Sequence, residues 1–424
     1  QFLNTIKDEH KLNTVGCYEG QNPNLHLQRI NLYFRELETQ PNRVRYVPRA
    51  IVVDFDPIDL DITLSHCFQQ FIDEKNVVCE EKSAYNNWAT GYYRAKHNKV
   101  IDKILNIVRK EAETCESMQG IQIVHSLGGG TGGGLSSLLA KHMSGEYSNK
   151  ILQSYSVLPA TKSFRIRDVY NSVLTLTYLD DYIHEIFCMD QLTVKRIHEE
   201  NTGKRNMYDW ISSFMSGITS CLRSTEAKYK IILHSLSRFP CSLNINLRKL
   251  LENMEPYPRL HFFVPGYVEI FLRSRFKVFS MTQRLFDNKN IFLDCNLAQE
   301  YFFTATAIFR GQISPMHFEE EMRNMRVKYK NNFVEWIPHN TQTTVCSVPP
   351  SREKWSLTSV LNTTAIQQPF QTLLNFFRKQ VHYKNYLHWY TQEGMEISQF
   401  ENAQNKLDRL LCEYKEKQRT GNKN

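Results

Sequence analysis

The residues best placed to do chemistry lie between Ile121 and Ser136, where Ile-Gln-Ile-Val-His-Ser runs into Leu-Gly-Gly-Gly-Thr-Gly-Gly-Gly-Leu-Ser. Six glycines surround Thr131. A backbone without Cβ atoms reaches positive φ without penalty and lets a ligand come close to it. A helix starting at the end of such a run aims its first amides and its positive dipole end at one spot, which suits a polyphosphate. Ser126 and Thr131 add hydroxyl donors. No Lys follows the glycines, so the run is not a P-loop, and its spacing is not the dinucleotide fingerprint. A glycine run also suits a tight turn or a flexible loop, and this stretch alone leaves both readings open. No catalytic dyad or metal cluster accompanies it. His125 is the only ionisable group inside it, and no catalytic residue is assigned.

The elements that must hold this run can be read around it. The β-favouring residues before the glycines predict a strand, Leu135 to Met143 a helix, and Ile151–Leu158 a second strand. Together they form one α/β unit with its loop at a strand end. Arg45–Asp54 reads as a buried parallel strand that ends in acidic residues. Val100–Met118 reads as an amphipathic helix with Ile101, Ile104, Leu105 and Val108 on one side. Gln1–Leu12 reads as the latter part of a helix without a cap, with Phe2, Ile6 and His10 on one face. Near the other end, Asn362–Gln367 opens a helix in which Pro369 is expected to produce a kink, and Ser398–Lys417 is a last helix.

Composition bounds the rest. With 424 residues, of which 41% are hydrophobic and 23% charged, the chain has material for two or three domains with substantial cores. No apolar run approaches the roughly 18 residues of a membrane span, and no signal peptide opens the sequence. The ten cysteines include no Cys-x-x-Cys pair, so neither a zinc site nor a disulfide framework is implied, and reduced thiols in the cytoplasm are the simplest reading. The 52 basic and 44 acidic side chains leave a net charge of +8. They are interspersed, which favours a solvated surface over a nucleic-acid footprint.

His125-Ser126-Leu127-Gly128-Gly129-Gly130-Thr131-Gly132 resembles the glycine-rich phosphate loop of tubulins. The similarity runs from Phe2 to about Lys417 and includes Asn86-Asn87-Trp88, Met215-Ser216-Gly217-Ile218-Thr219-Ser220-Cys221-Leu222-Arg223, Phe333-Val334-Glu335-Trp336-Ile337-Pro338 and Leu387-His388-Trp389-Tyr390-Thr391. The resemblance implies an α/β fold: a tubulin-like GTPase domain with a parallel, Rossmann-like sheet over residues 1–203, and a core linking helix over 204–223. A second α/β domain over 224–360 and a C-terminal helical hairpin and tail over 361–424 complete it. It also implies that GTP or GDP is held by Ser126, Gly128, Gly129, Gly130, Thr131, Gly132, Asn86, Asp168, Gln191 and Tyr208, with Mg2+ reached through Asp56. For Asp56 alone, a helix cap is an equally good reading.

As a β-type chain, with Lys249 where α-type tubulins place an activating Glu, it would assemble head-to-tail with an α-tubulin-like partner and other subunits of a protofilament. Microtubule-associated proteins are further partners, and neither nucleic acid nor membrane is expected. Any GTP hydrolysis would depend on the partner's acidic residue. The alternative is a structural pseudo-GTPase that modifies or caps a lattice without nucleotide. Its support is the loss of the family's loop glycines at Glu80, Ser83 and Tyr85, and altered base contacts at Lys204 and Tyr208. The family's first strand and phosphate loop do not occur in the sequence, which is either a fragment or lacks them; further departures are an extra segment over Ser224–Arg238, a lateral loop shortened between Gly266 and Phe286, and a tail without an acidic run.

Overall fold

Runs of apolar residues too continuous for a one-faced strand make up the centre of the protein. The computed structural model describes residues 2–40, 43–58, 60–61, 71–160, 165–201, 215, 222–223, 245–269, 282–298, 300–337, 340–350 and 355–421. In chain order, α1 (Phe2–Glu9) leads to an antiparallel hairpin of β1 (Phe34–Gln40) and β2 (Arg43–Pro48), then to the parallel pair β3 (Val52–Asp54) and β4 (Val77–Cys79). Next come α2 (Trp88–His97), α3 (Val100–Glu113), β5 (Gly120–Ser126), α4 (Ser136–Glu146), β6 (Ile151–Leu158), α5 (Ile166–Tyr182), β7 (Glu185–Asp190) and α6 (Gln191–Asn201). A short parallel pair, β8 (Leu222–Arg223) with β9 (Ile245–Asn246), precedes α7 (Leu247–Met254) and β10 (Phe262–Glu269). Then follow β11 (Phe302–Arg310), α8 (Pro315–Lys328), β12 (Thr341–Cys346) and β13 (Ser356–Thr363). The last helices are α9 (Gln367–His382), α10 (Leu387–Thr391) and α11 (Ile397–Gly421).

A seven-stranded sheet in the order β12-β11-β13-β10-β7-β6-β5 runs through both halves of the chain. β5, β6, β7 and β10 are mutually parallel, whereas β13 is antiparallel to both β10 and β11. The two halves join where Phe262 and Phe263 lie opposite Ile186 and Phe187. β6 and β7 are buried nearly throughout, as parallel strands covered on both faces must be. On one face Leu152, Ile186 and Val264 pack with residues of α5, α9 and α11. On the other, Tyr155, Phe187, Met189 and Phe263 meet Val194, Ile197, Leu250 and Met254.

The α/β unit around the glycines forms as read. Four other expectations change. Arg45–Asp54 is not one buried parallel strand: it splits into the end of the antiparallel β2 and the half-buried β3. The break follows Pro48, which has no amide to continue the ladder. α3 stops at Glu113 rather than Met118, and the Thr114 hydroxyl turns back to the Glu111 carbonyl at 2.8 Å. Pro369 is the third residue of α9, just past a 3-10 turn over Thr364–Ile366. First-turn amides have no partner behind them, so the proline removes no bond there. Of the core linking helix expected over 204–223, only the buried, helical Met215 and the pair Leu222–Arg223 are described, and that pair is strand, hydrogen-bonded with Ile245–Asn246. Ser224–Arg238 and most of the shortened lateral loop lie outside the described residues. The described cysteines are free thiols, and among the described residues no helix is long and apolar enough to cross a membrane.

Candidate functional site

β5 delivers Ser126 to the end of the sheet, and the Leu127 amide bonds the Val157 carbonyl at 2.9 Å before the chain enters the glycines. A π-helical turn over Gly130–Leu135 then feeds α4, which places the turn's N-terminal amides at the loop. The glycines are needed for close approach and not for φ. None of the loop glycines is among those at positive φ, which are Gly16, Gly311 and Gly394. A Cβ on Gly130 would lie 2.7 Å from the Asn87 nitrogen, one on Gly132 2.6 Å from the Ser126 oxygen, and one on Gly134 2.2 Å from the Trp88 oxygen. The contact is reciprocal, since a Cβ on Gly91 of α2 would meet the Gly130 oxygen at 2.1 Å. Gly129 differs. Its Cβ would meet nothing closer than 3.8 Å, and it faces a space bordered by the Asn86 carboxamide.

Several predicted site residues converge on this space. Asn86 donates from Nδ2 to Asp168 Oδ1 at 3.1 Å, and Asp168, in the first turn of α5, lies against Gly128. From the other side Thr131 donates its hydroxyl to Asp54 Oδ1 at 3.3 Å. Asp54 also accepts the amides of Phe55 and Asp56. The Asp56 carboxylate accepts the Ile58 amide at 3.1 Å, which is the helix-cap arrangement and still leaves it acceptor capacity. Gln191 is exposed at the start of α6, behind Asp190, which accepts the Leu192 amide and the Thr193 hydroxyl. Tyr208 and Lys204 lie outside the described residues.

The loop that replaces glycines with Glu80, Ser83 and Tyr85 is held by its neighbours. Arg94 of α2 donates to the carbonyls of Lys82 and Ser83, at 2.9 and 2.8 Å, and Arg167 donates to that of Tyr85 at 3.1 Å. Glu80 points to Asn98, just past α2, and to Lys103 of α3. Tyr85 and Asn86 both stand in the left-handed region, at φ 49° and 55°.

Asn171, in the middle of α5, organises the whole loop cluster and is not singled out by sequence reading. Its Nδ2 donates to the carbonyls of Asn86 and Gly128, at 3.0 and 2.7 Å, and its Oδ1 accepts from the Trp88 amide and the Tyr390 hydroxyl, at 3.0 and 2.8 Å. The signal in the sequence is slight: a poor helix former inside a helix that also carries Asp168, Ser172, Thr175 and Asp180.

The arrangement offers amides and hydroxyls to an anion. Asp54, Asp56 and Asp168 would repel a polyphosphate unless a divalent cation came with it. Among the described residues no three His, Cys, Asp or Glu side chains converge on a metal position. One or two carboxylates, with water and the phosphates themselves, are the donor set on which Mg2+ is commonly held.

Two protein-family models match the chain: the GTPase domain of the Tubulin/FtsZ family over residues 1–198 and the tubulin C-terminal domain over residues 258–375. The chain belongs to the tubulin family. It is a tubulin-family cytoskeletal protein whose first domain is of the guanine-nucleotide-binding type, and the sheet, the helices around it and the C-terminal helical region are the tubulin-like fold.

Proposed function

We propose that this tubulin-family chain is a β-tubulin-like subunit that binds GTP or GDP with Mg2+ and assembles head-to-tail with an α-tubulin-like partner into microtubule-type polymers in the cytoplasm. The observation that carries this reading is the open face at Gly129, bordered by the Asn86 carboxamide, which is tied to Asp168, in a loop whose Thr131 is tied to Asp54. Ser126, Gly128, Gly130 and Gly132 complete the phosphate cradle, Asp168 takes the ribose, Gln191 and Tyr208 take the base, and Asp56 reaches the cation through water. Lys249, in α7, is a cation where an activating carboxylate would stand, so hydrolysis waits on an acidic residue of the partner. Residues 1–203, 204–223, 224–360 and 361–424 remain the proposed domain division. The test is chromatography of the nucleotide released when protein purified in Mg2+ is denatured. The expected result is stoichiometric guanine nucleotide, and none would overturn the reading.

A second reading has its own support. Tyr85 is 64% exposed at φ 49° on the loop beside the site, and a loop bearing such bulk suits a relative that modifies or caps a lattice without nucleotide. Co-sedimentation with microtubules by protein free of nucleotide would favour it.

A further inference from the structure

A loop built of glycines cannot order itself. It has the largest backbone entropy of any sequence and no side chains to anchor it, yet amides that gather an anion bind tightly only when already in place. The clamps must come from outside. Asn171 holds the Gly128 carbonyl, and the backbone of α2 bears directly on Gly130 and Gly134. Thr131 is tied through its hydroxyl to Asp54, and the Gly132 carbonyl beside it needs a clamp of its own.

His125 supplies it. Its Nδ1 stands 2.7 Å from the Gly132 carbonyl oxygen, while Nε2 stands 2.8 Å from Ser154 Oγ and 3.1 Å from Ser156 Oγ. A carbonyl can only accept, so Nδ1 carries the proton, and the bare Nε2 accepts from the hydroxyls of β6. Ser136, at the start of α4, bonds the same Gly132 carbonyl and lies 3.0 Å from Nδ1. Burial disfavours the imidazolium and lowers the His125 pKa to about 4, so the ring stays neutral at neutral pH.

We propose that His125 is a positioning residue for phosphate binding: its Nδ1–H fixes the Gly132–Gly133 peptide plane, and with it the amides ahead of that plane in the turn. The proposal rests on the reading of this loop as a nucleotide site. It gives His125 a task in binding that mere filling of space at a strand end would not.

The test uses the full chain and GDP with Mg2+ as probe, with affinity and melting temperature measured on each variant. In His125→Asn the amide nitrogen takes the place of Nδ1 and can still donate to Gly132. In His125→Gln the amide reaches the Nε2 position and can bond only the serines, and His125→Leu bonds neither. All three lose packing. The expected outcome is that Gln and Leu each weaken GDP binding by about tenfold or more while Asn stays within about threefold of wild type, with similar melting temperatures among the variants. Wild-type affinity in His125→Leu, or an equal loss in Asn and Gln, would overturn the clamp. A wild-type chain that binds no GDP would instead overturn the nucleotide reading on which it rests.

Discussion

The Thr131 hydroxyl donates to Asp54 Oδ1 at 3.3 Å, and this bond ties the end of β3 to the glycine turn that follows β5. Two carboxylates thus stand near the phosphate turn with different duties. Asp54 is occupied by a hydroxyl and two amides, whereas Asp56 spends one bond on the Ile58 amide. If Asp56 meets Mg2+ through water, Asp56→Asn keeps the cap and loses the charge. Its stability should then stay within about 0.5 kcal/mol of wild type, while the Mg2+ requirement for GDP retention rises by about tenfold. A magnesium titration of GDP binding checks this. An unchanged midpoint in Asp56→Asn, with a shift in Asp54→Asn, would give the cation to Asp54.

Tyr85 carries the cost of its loop. At φ 49° a side chain with a Cβ crowds its own carbonyl by about 1–2 kcal/mol, and being 64% exposed the ring recovers little of this by packing. The loop keeps its shape because Arg94 and Arg167 hold its carbonyls. Tyr85→Ala retains the strain and Tyr85→Gly removes it. The Gly variant should therefore be the more stable of the two by about 1 kcal/mol, measured by denaturant unfolding. A Gly variant weaker than Ala would mean that residue 85 does not occupy the left-handed region.

What could be read in advance follows from which interactions are local. The strand, glycine loop and helix from Gly120 to Glu146 are set by neighbours in sequence, and they appear where the periodicity puts them. The role of the glycines was harder. Positive φ is a property of the residue itself, but the actual requirement is room for α2, some forty residues away in the chain. Asn171 carries little signal for the same reason, since its partners Asn86, Gly128 and Tyr390 meet it only in the folded protein. The split of Arg45–Asp54 depends on pairing with β1 and β4, which hydrophobicity alone does not specify.

A far longer stretch of sequence, 301 residues, separates Glu9 of α1 from Arg310 of β11, which form a buried ion pair at 2.7 Å. Arg310 also donates to the carbonyls of Val348 and Pro349, each at 3.3 Å. Charges this deep cost much to desolvate, and removing one partner leaves the other uncompensated. Glu9→Ala should destabilise the protein by about 3–5 kcal/mol, whereas the double change Glu9→Leu with Arg310→Met should recover most of that loss. Guanidinium unfolding of the two variants decides. Equal losses would show that the pair's value lies in packing rather than in charge.

Glu185 gives the fold a pH dependence of definite sign. Desolvation raises its pKa from 4.5 to about 8, against the opposing effect of the Gln153 hydrogen bond, and the Glu255 charge adds a smaller upward push. Between those values the folded chain keeps a proton that the unfolded chain has released. Stability from this group is therefore full below pH 4.5 and is lost as pH rises toward 8. His125 and His184 have pKa values lowered from 6.5 by burial, so they act in the opposite sense and below that pH. Among the described groups with shifted values, Glu185 is the one whose change spans pH 6.5 to about 8. Glu185→Gln keeps a carbonyl for Gln153 and cannot ionise. Across that window its melting temperature should hold steadier than wild type's and overtake it at the upper end. Parallel melting curves for the two proteins would place an ionised Glu185 in the fold at neutral pH, with a cation or donor to satisfy it.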